Sequence, residues 1–396
     1  MKWQIIYSLQ ADLRYAEVIS KQFGVSVAFV GNAVKEYNKK GKESFDNVGR
    51  GKHRKRFYMD YNQEVKLLSN YTEAESNGEI TTVKDIRIYR FLKDFNFDYM
   101  KVSSLLLSFF SSKNYVVAMD RTSWKFDKSD INILFLVMVI GKMSVPIFWK
   151  TLPHGGGCSA EFMKEFLQKF INNFGVERIK YLLADREFMN KEWLDFLINN
   201  HLKFAIPLKM DHKIRLTKGL RTLTIERMFS DVKALEYRAC SGVLWNRKVN
   251  FTAYRNDKSE LMVLVSSIEI EQDVFALYKF RWSVERLFLH LKSGGFDIEK
   301  SHIVNLDRFE KLLVIAAIAS ALIVKNGLIQ NALNPIRIKR HKTIEKQLFS
   351  LFTYGFDHIK NAFYQSTTAI TQLISTLLIP PKQELFPILL TSLQKL

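Results

Sequence analysis

Cysteine is scarce in this sequence, with only Cys158 and Cys240 among 396 residues. Two cysteines are too few for a disulfide framework or for a zinc site built from cysteine ligands. Residues 1–7 lack the apolar run of a signal peptide. The most apolar stretch, residues 312–324, is shorter than the ~20 residues needed to span a bilayer. We therefore expect a buried core helix there, and a cytoplasmic protein with no membrane partner.

Positive charge is abundant. The chain has 59 Lys and Arg against 40 Asp and Glu, a formal net charge of +19. Such an excess favours a polyanionic partner, because neutralising phosphates releases counterions and adds affinity that does not depend on sequence. A basic surface that is merely solvated is the alternative. The length predicts two or three domains.

The first 60 residues are small, polar and basic. Residues 16–23 and 27–37 are predicted as helices around a turn at Gly24, which fits a helix-turn-helix. A plain helical hairpin docked on the body is the alternative. The basic run that follows is predicted to be a phosphate-gripping arm or, alternatively, a solvated linker; its central residues are Arg54, Lys55 and Arg56.

The middle of the chain has the element order of a ribonuclease-H-like domain. Three β-branched strands (115–120, 131–140, 143–149) precede a helix (159–174), a strand (179–185), a helix (191–199) and a strand (204–207). The predicted fold class is α/β, a mixed sheet flanked by helices, with a β-strand insertion and helical N- and C-terminal regions. The predicted domains are residues 1–112, a core of 113–210 and 269–304, an insertion of 211–268, and a helical region of 305–396.

Two aspartates follow apolar strands. Asp120 ends one predicted strand and Asp185 ends another. A carboxylate at such a point avoids the apolar interior yet is fixed by the sheet, and two on neighbouring strands can share divalent cations. Either aspartate alone is also compatible with an ordinary turn.

A predicted helix from Glu271 to about Lys292 carries a polar stripe. At ~100° per residue, Tyr278, Arg281, Glu285 and Lys292 fall within roughly 60° of one another. Glu285 can complete a metal site, the two basic residues can hold phosphates, and the phenol can contact a phosphate or stack on a base. The alternative is a solvent-facing stripe in which Arg281 and Glu285 form a helix salt bridge.

These motifs resemble the IS4 group of insertion-sequence transposases, whose signature is Tyr, two residues, Arg, three residues, Glu, six residues, Lys. Every spacing is met between Tyr278 and Lys292. The segments DRTSWKF from Asp120 and ADREF around Asp185 are also similar to that group. The resemblance covers about residues 115–325. One departure is Gly157-Cys158-Ser159, where the family often has Gly-Asn-Ser.

The resemblance implies a DDE transposase that cleaves DNA and joins strands. Asp120, Asp185 and Glu285 would hold two Mg²⁺ ions, with Mn²⁺ as a substitute. The partners implied are double-stranded DNA, as transposon-end inverted repeats and target, and a second copy of the chain in a homodimer at the bacterial nucleoid.

Three further residues are candidate DNA contacts. Trp245, with an exposed indole on a predicted hairpin, could stack on a flipped base or be structural. Arg121 and Arg186 could contact the scissile phosphate or form salt bridges at the sheet end. A ribonuclease-H-fold nuclease without strand transfer and a silent DNA-binding repressor are the alternative functions, although the intact acidic set disfavours the repressor.

Overall fold

A computed structural model describes most of the chain in eight stretches: residues 16–40, 83–110, 112–126, 129–152, 156–217, 221–270, 272–341 and 344–378. The chain divides into two compact units, Met1–Ala74 and Glu75–Leu396. The basic-arm residues Arg54, Lys55 and Arg56 lie outside the described residues.

The first unit contains the predicted pair of helices, α1 (Ala16–Phe23) and α2 (Val27–Lys40). Gly24 turns the chain with a left-handed φ of 63°, a conformation that glycine adopts without steric cost. The Val25 amide donates to the Ser20 carbonyl across the turn, and Val30 is fully buried. The two helices are confirmed, and their binding to DNA stays a prediction.

The second unit begins with two helices and continues into a long run of strands. The helices are α3 (Val83–Asp94), α4 (Tyr99–Ser108), α5 (Ala160–Phe174), α6 (Lys191–Asn199), α7 (Ile225–Met228), α8 (Val274–Lys279), α9 (Ser283–Lys292), α10 (Leu306–Leu333), α11 (Leu351–Gln365) and α12 (Thr367–Leu378). The strands are β1 (Tyr115–Phe126), β2 (Ser129–Ile140), β3 (Met143–Thr151), β4 (Ile179–Ala184), β5 (Phe204–Pro207), β6 (Lys213–Leu216), β7 (Thr222–Thr224), β8 (Tyr237–Leu244), β9 (Arg247–Arg255), β10 (Leu261–Ser266), β11 (Ile338–His341) and β12 (Ile344–Gln347).

Ten of these strands form one mixed sheet in the order β3-β2-β1-β4-β5-β10-β9-β8-β6-β7. Strand β1 is antiparallel to β2 and parallel to β4, which is parallel to β5. The first five strands have the ribonuclease-H-like order, so the predicted fold class is confirmed. The β-rich insertion joins the same sheet because β10 pairs with β5. The domain boundaries stay a prediction.

Helices cover both faces of the sheet at β3. Phe148 stacks on Phe166 of α5 with ring centroids 4.7 Å apart. Its neighbour Trp149 points the opposite way, because successive residues of a strand face opposite sides, and it meets Tyr99 of α4 edge-on. Phe135, the register partner of Trp149, contacts Phe288 of α9. The face that carries Phe135 therefore lies under α4 and α9.

The predicted core helix is the middle of α10. By length and composition this helix could cross a membrane, and 67% of its most apolar window is buried inside the protein, as expected for a core helix. Gly327 of α10 and Gly355 of α11 lie at a close crossing, since a methyl group on Gly355 would lie 2.7 Å from the Gly327 nitrogen. The small hairpin β11–β12 was not predicted, because its short segments lack a clear alternation of apolar residues.

Candidate functional site

Asp120 and Asp185 are brought together by the parallel pairing of β1 and β4. Met119 is the register partner of Ala184, so the two aspartates occupy the next position on neighbouring strands. One prediction needs correction, because Asp120 does not end its strand. Strand β1 continues to Phe126, held by β2, and Asp120 pairs with Phe135. Asp120 lies where the pairing with β4 stops, on the sheet face that α9 covers.

The Asp120 carboxyl is buried, with 9% of the residue exposed. The Arg121 amide donates to its Oδ1 at 2.8 Å, and Arg281 Nη1 donates to its Oδ2 at 3.0 Å. Burial raises the pKa of Asp120 to about 6, while the Arg121 amide and the Arg281 charge oppose the rise. The nearby charges of Asp185 and Glu187 raise the pKa further, as like charges do.

Asp185 is the more accessible of the two aspartates. It caps the short 3₁₀ turn Arg186–Phe188, and its carboxylate accepts from the Arg186 amide at 2.7 Å. The residue is only partly buried. A partly exposed carboxylate beside a buried one leaves an open side from which a substrate or cation can approach.

The predicted polar helix is present but interrupted. It starts at Val274, after the capping residue Asp273, and a 3₁₀ turn over Phe280–Trp282 separates α8 from α9. A 3₁₀ turn rotates by about 120° per residue, so the regular spacing of ~100° assumed for the stripe does not hold. The hydroxyls of Ser283 and Ser144 are hydrogen-bonded and fasten the start of α9 to β3.

Arg281 joins two of the three predicted acids. Its Nη1 donates to Asp120 and its Nη2 donates to Glu285 Oε1 at 2.8 Å. The side chain of Arg281 is 9% exposed, whereas that of Glu285 is 61% exposed. The Arg281–Glu285 salt bridge considered from the sequence is therefore present, but the arginine does not face solvent. It is an internal cation shared between β1 and α9.

Tyr278 completes the inner side of this cluster. The residue is 6% exposed, and the Arg281 guanidinium carbon lies 5.8 Å from the centre of its ring. Burial raises the pKa of Tyr278, the charge of Arg281 opposes the rise, and the carboxylates of Asp185 and Asp120 add to it. The phenol therefore keeps its proton at neutral pH and can act as a hydrogen-bond donor.

Lys292 lies apart from the acidic cluster on the same helix. Its Nζ is 5.6 Å from the ring centre of Trp124, a fully buried residue of β1. A half-buried ammonium over an indole face gains a cation–π contact. The structure thus brings together Asp120, Asp185, Tyr278, Arg281 and Glu285. Lys292 lies further along the chain, as the last residue of α9.

Arg121 and Arg186 have different surroundings. Arg121 makes an ion pair with Glu187, with 3.1 Å between Nη2 and Oε2. Of the two interpretations of Arg121, a phosphate contact or a salt bridge, the salt bridge is present in the structure. The Arg186 side chain is exposed and has no ion-pair partner within the described part of the chain. A phosphate contact by Arg186 stays a prediction.

Cys158 occupies the position where the resembled family often has asparagine. The residue is half-buried, and burial raises the pKa of its thiol to about 11, with Arg121 lowering it and Glu187 raising it. A neutral thiol is a poor nucleophile and metal ligand. Cys158 packs against the hydrophobic core near the Arg121–Glu187 pair.

Trp245 sits in a tight hairpin turn with unusual backbone geometry. Trp245 and Asn246 connect β8 to β9 with φ values of 48° and 66°. Both are left-handed, which is rare for a bulky residue. The indole is half-buried, and its ring meets His212 edge-on at 5.2 Å. The hairpin is confirmed, but the expectation of an exposed indole needs correction, because His212 and the core cover part of it.

Two polar residues near the site were not singled out from the sequence. Glu187 pairs with Arg121, and Asn132 of β2 accepts from Arg121 Nη1 at 3.2 Å while donating to the Gly156 carbonyl at 3.0 Å. The signal for Glu187 was its place two residues after Asp185. Asn132 had a weaker signal, namely an amide inside an otherwise apolar strand.

The fold and the site together define a ribonuclease-H-like α/β protein with one carboxylate on β1 and another directly after β4. The profile of the family described as "Transposase DDE domain" matches residues 111–322, more than half of the chain. The chain belongs to this family, whose members generally use divalent metal ions. No curated protein sequence matches the chain.

Two solved structures show limited similarity. The first is a piggyBac transposase synaptic complex with hairpin DNA, at 8% identity and a TM-score of 0.35. The match covers 71% of this chain and 58% of the piggyBac chain. The second is endonuclease V from Bacillus subtilis, at 10% identity and a TM-score of 0.24, covering 51% of this chain and 82% of that one.

The acids of the site suit a divalent cation in their chemistry. Asp120, Asp185 and Glu285 offer carboxylate oxygens, the ligands that Mg²⁺ prefers. Within the described stretches, no three His, Cys, Asp or Glu residues already form a metal-ready group. The guanidinium of Arg281 lies between two of the acids, so they do not converge on one point.

Proposed function

We propose that this protein is a DNA transposase of the IS4 group that cleaves DNA at inverted-repeat ends and transfers the strands to a target. The observation that carries the proposal is that Asp120 on β1, Asp185 directly after β4 and the Tyr278–Glu285 segment lie together where the pairing of β1 with β4 stops. Membership of the DDE family supports it.

The acids are proposed to serve as metal ligands. Asp120, Asp185 and Glu285 would hold two Mg²⁺ ions, with Mn²⁺ as a substitute, which when bound activate a water or a 3′-hydroxyl and stabilise the leaving oxygen. Asp120 is fixed by its strand and by the Arg121 amide, so its position is set before substrate arrives. This preorganisation is what electrostatic catalysis requires.

The protonated phenol of Tyr278 donates to a phosphate oxygen, and the guanidinium of Arg281 neutralises a phosphate charge. Lys292 and Arg186 extend the positive surface along the DNA backbone on either side. The net charge of +19 supports a DNA partner, because salt-dependent phosphate contacts supply most of the affinity for nucleic acid.

Three further assignments belong to the same proposal. Trp245 stacks on an unpaired base near the cut, and its strained backbone supports a functional reason for a tryptophan in that turn. Arg54, Lys55 and Arg56 bind DNA phosphates outside the site. The protein acts as a homodimer that joins two transposon ends, in the bacterial cytoplasm at the nucleoid.

The test starts from the DNA that flanks the gene. Inverted repeats bordered by short direct duplications would supply the substrate. Purified protein with Mg²⁺ is expected to cut these ends and to form strand-transfer products, whereas a scrambled end and a reaction with chelator should give neither. Asp120→Asn should abolish cutting, while the exposed control Asp257→Asn should cut normally.

The alternative functions give different products. Cutting without strand transfer would identify a nuclease of the same fold. Binding to the ends without cutting in Mg²⁺ or Mn²⁺ would identify a repressor derived from a transposase. Full activity of Asp120→Asn would overturn the assignment of the catalytic acids.

A further inference from the structure

One guanidinium neutralises two of the acids proposed to bind metal. Arg281 Nη1 lies 3.0 Å from Asp120 Oδ2, and Arg281 Nη2 lies 2.8 Å from Glu285 Oε1. The arginine side chain is 9% exposed and that of Asp120 is 12% exposed, so water screens this contact little. These two oxygens belong to the proposed metal-ligand set.

A divalent cation and the guanidinium compete for those oxygens. Each is attracted to the same carboxylates, and the two cations repel each other at contact distance in a poorly screened site. The guanidinium therefore lowers the affinity of the two acids for metal as long as it stays paired with both of them. Glu285 is the acid released more readily, because its side chain is 61% exposed and water can replace the lost bond.

The pairing also leaves part of the guanidinium unsatisfied. The Nε of Arg281 is buried and, counting only residues that the structure describes, has no hydrogen-bond partner. A buried donor without an acceptor loses its hydration without compensation. A DNA phosphate offers several acceptor oxygens with a full negative charge, which suits the planar fork of an arginine. A phosphate therefore offers Arg281 an acceptor for the Nε that the two carboxylates leave unpaired.

We infer that Arg281 couples the binding of metal to the binding of DNA. It holds Asp120 and Glu285 closed to metal until a DNA phosphate draws the guanidinium away. This inference rests on the proposed function. Coupling of this kind is reciprocal, so DNA raises the affinity for metal by the factor with which metal raises the affinity for DNA. The enzyme then assembles its metal site mainly on DNA, which limits unwanted cutting.

The experiment measures Mn²⁺ binding by electron paramagnetic resonance on the full chain, with and without a short end duplex, after subtracting Mn²⁺ bound by DNA alone. For the wild type, DNA is expected to lower the Kd for Mn²⁺ by about tenfold, within the usual range of coupling. Arg281→Gln is expected to bind Mn²⁺ about tenfold more tightly than the wild type without DNA, and to lose the DNA dependence.

The matched control is Arg286→Gln, on the same helix. Arg286 is exposed and forms no ion pair with Asp120 or Glu285, so this variant should keep the Kd for Mn²⁺ and the DNA dependence of the wild type. Arg281→Lys keeps the charge and should keep part of the competition. Far-ultraviolet circular dichroism confirms that each variant is folded.

Two results would overturn the inference. One is a folded Arg281→Gln protein that binds Mn²⁺ no more tightly than the wild type in the absence of DNA. The other is a wild-type Kd for Mn²⁺ that DNA does not change, which decides the matter even if Arg281→Gln fails to fold. Neither measurement depends on strand cleavage, so a protein with coupled binding but no cleavage would overturn the proposed function and leave this inference standing.

Discussion

Arg121 and Glu187 form a two-point ion pair between the chain segments that follow the two site aspartates. Arg121 Nε and Nη2 donate to Glu187 Oε1 and Oε2 at 3.3 and 3.1 Å. Arg121 comes directly after Asp120 on β1, and Glu187 comes two residues after Asp185 in the turn that follows β4. The pair therefore links the two chain segments beside the site.

We predict a measurable coupling between Arg121 and Glu187. Their side chains are 21% and 39% exposed, so solvent limits the interaction to about 1 kcal/mol. A double-mutant cycle with Arg121→Gln and Glu187→Gln in urea unfolding measures it. The single 3.5 Å contact of Lys150 and Glu165, 47% and 73% exposed, should show almost none. Equal coupling for both pairs would contradict this prediction.

A second prediction concerns the pH dependence of stability. The folded pKa of Asp120 is raised from 3.8 to about 6, so between these values the folded protein keeps a proton that the unfolded chain releases. The free energy of unfolding therefore falls as pH rises through this window. The loss is at most about 3 kcal/mol, from 1.36 kcal/mol per pKa unit.

Urea unfolding from pH 4 to 7 in chelator measures this effect. The wild type should lose stability relative to Asp120→Asn, which cannot release the proton, as pH rises to about 6. The exposed control Asp257→Asn should follow the wild type. Parallel curves for Asp120→Asn and the wild type would show that burial does not raise the pKa of this carboxyl.

The third prediction separates the two roles of Trp245. Asparagine adopts a left-handed φ more readily than tryptophan. Trp245→Asn therefore relieves the turn while losing the packing on His212, and the net change in unfolding free energy should stay within about 1 kcal/mol. If the indole stacks on a base, the variant should lose about 1–3 kcal/mol of interaction with the cleaved end.

The readouts are urea unfolding and the fluorescence of 2-aminopurine placed at the transposon end. Loss of the fluorescence response with normal stability supports base stacking. A large loss of stability with a normal fluorescence response would make Trp245 a structural residue of the hairpin.

The fourth prediction tests the helix crossing of α10 and α11. A methyl group on Gly355 would lie 2.1 Å from the Ile323 carbonyl oxygen, and a backbone atom of a packed helix cannot move aside. Gly355→Ala should destabilise the protein by about 3 kcal/mol. Gly157→Ala, whose added methyl would meet no atom of the described residues within 4 Å, should leave the urea midpoint near that of the wild type. Similar midpoints for both variants would refute the close crossing.

Much of the fold follows from local patterns. Helix α6 and strand β5 begin and end at the predicted residues, because each is a clear periodic segment between breaks. The end of β1 could not be predicted from its own residues, since β2 holds the strand beyond Asp120. The break between α8 and α9 could not be predicted from the sequence either, because its residues have no local helix-breaking signal.

The sequence alone singled out the three candidate acids. Asp120 and Asp185 follow apolar segments, and Glu285 belongs to the spacing that runs from Tyr278 to Lys292. The sequence alone shows these patterns, because they depend only on residues close together in the chain. Tertiary structure decided which acids the two arginines pair with. Arg281 pairs with Asp120, and Arg121 pairs with Glu187. A buried charge needs an opposite charge nearby, and the pairing of the strands decides which acidic residue lies near each arginine.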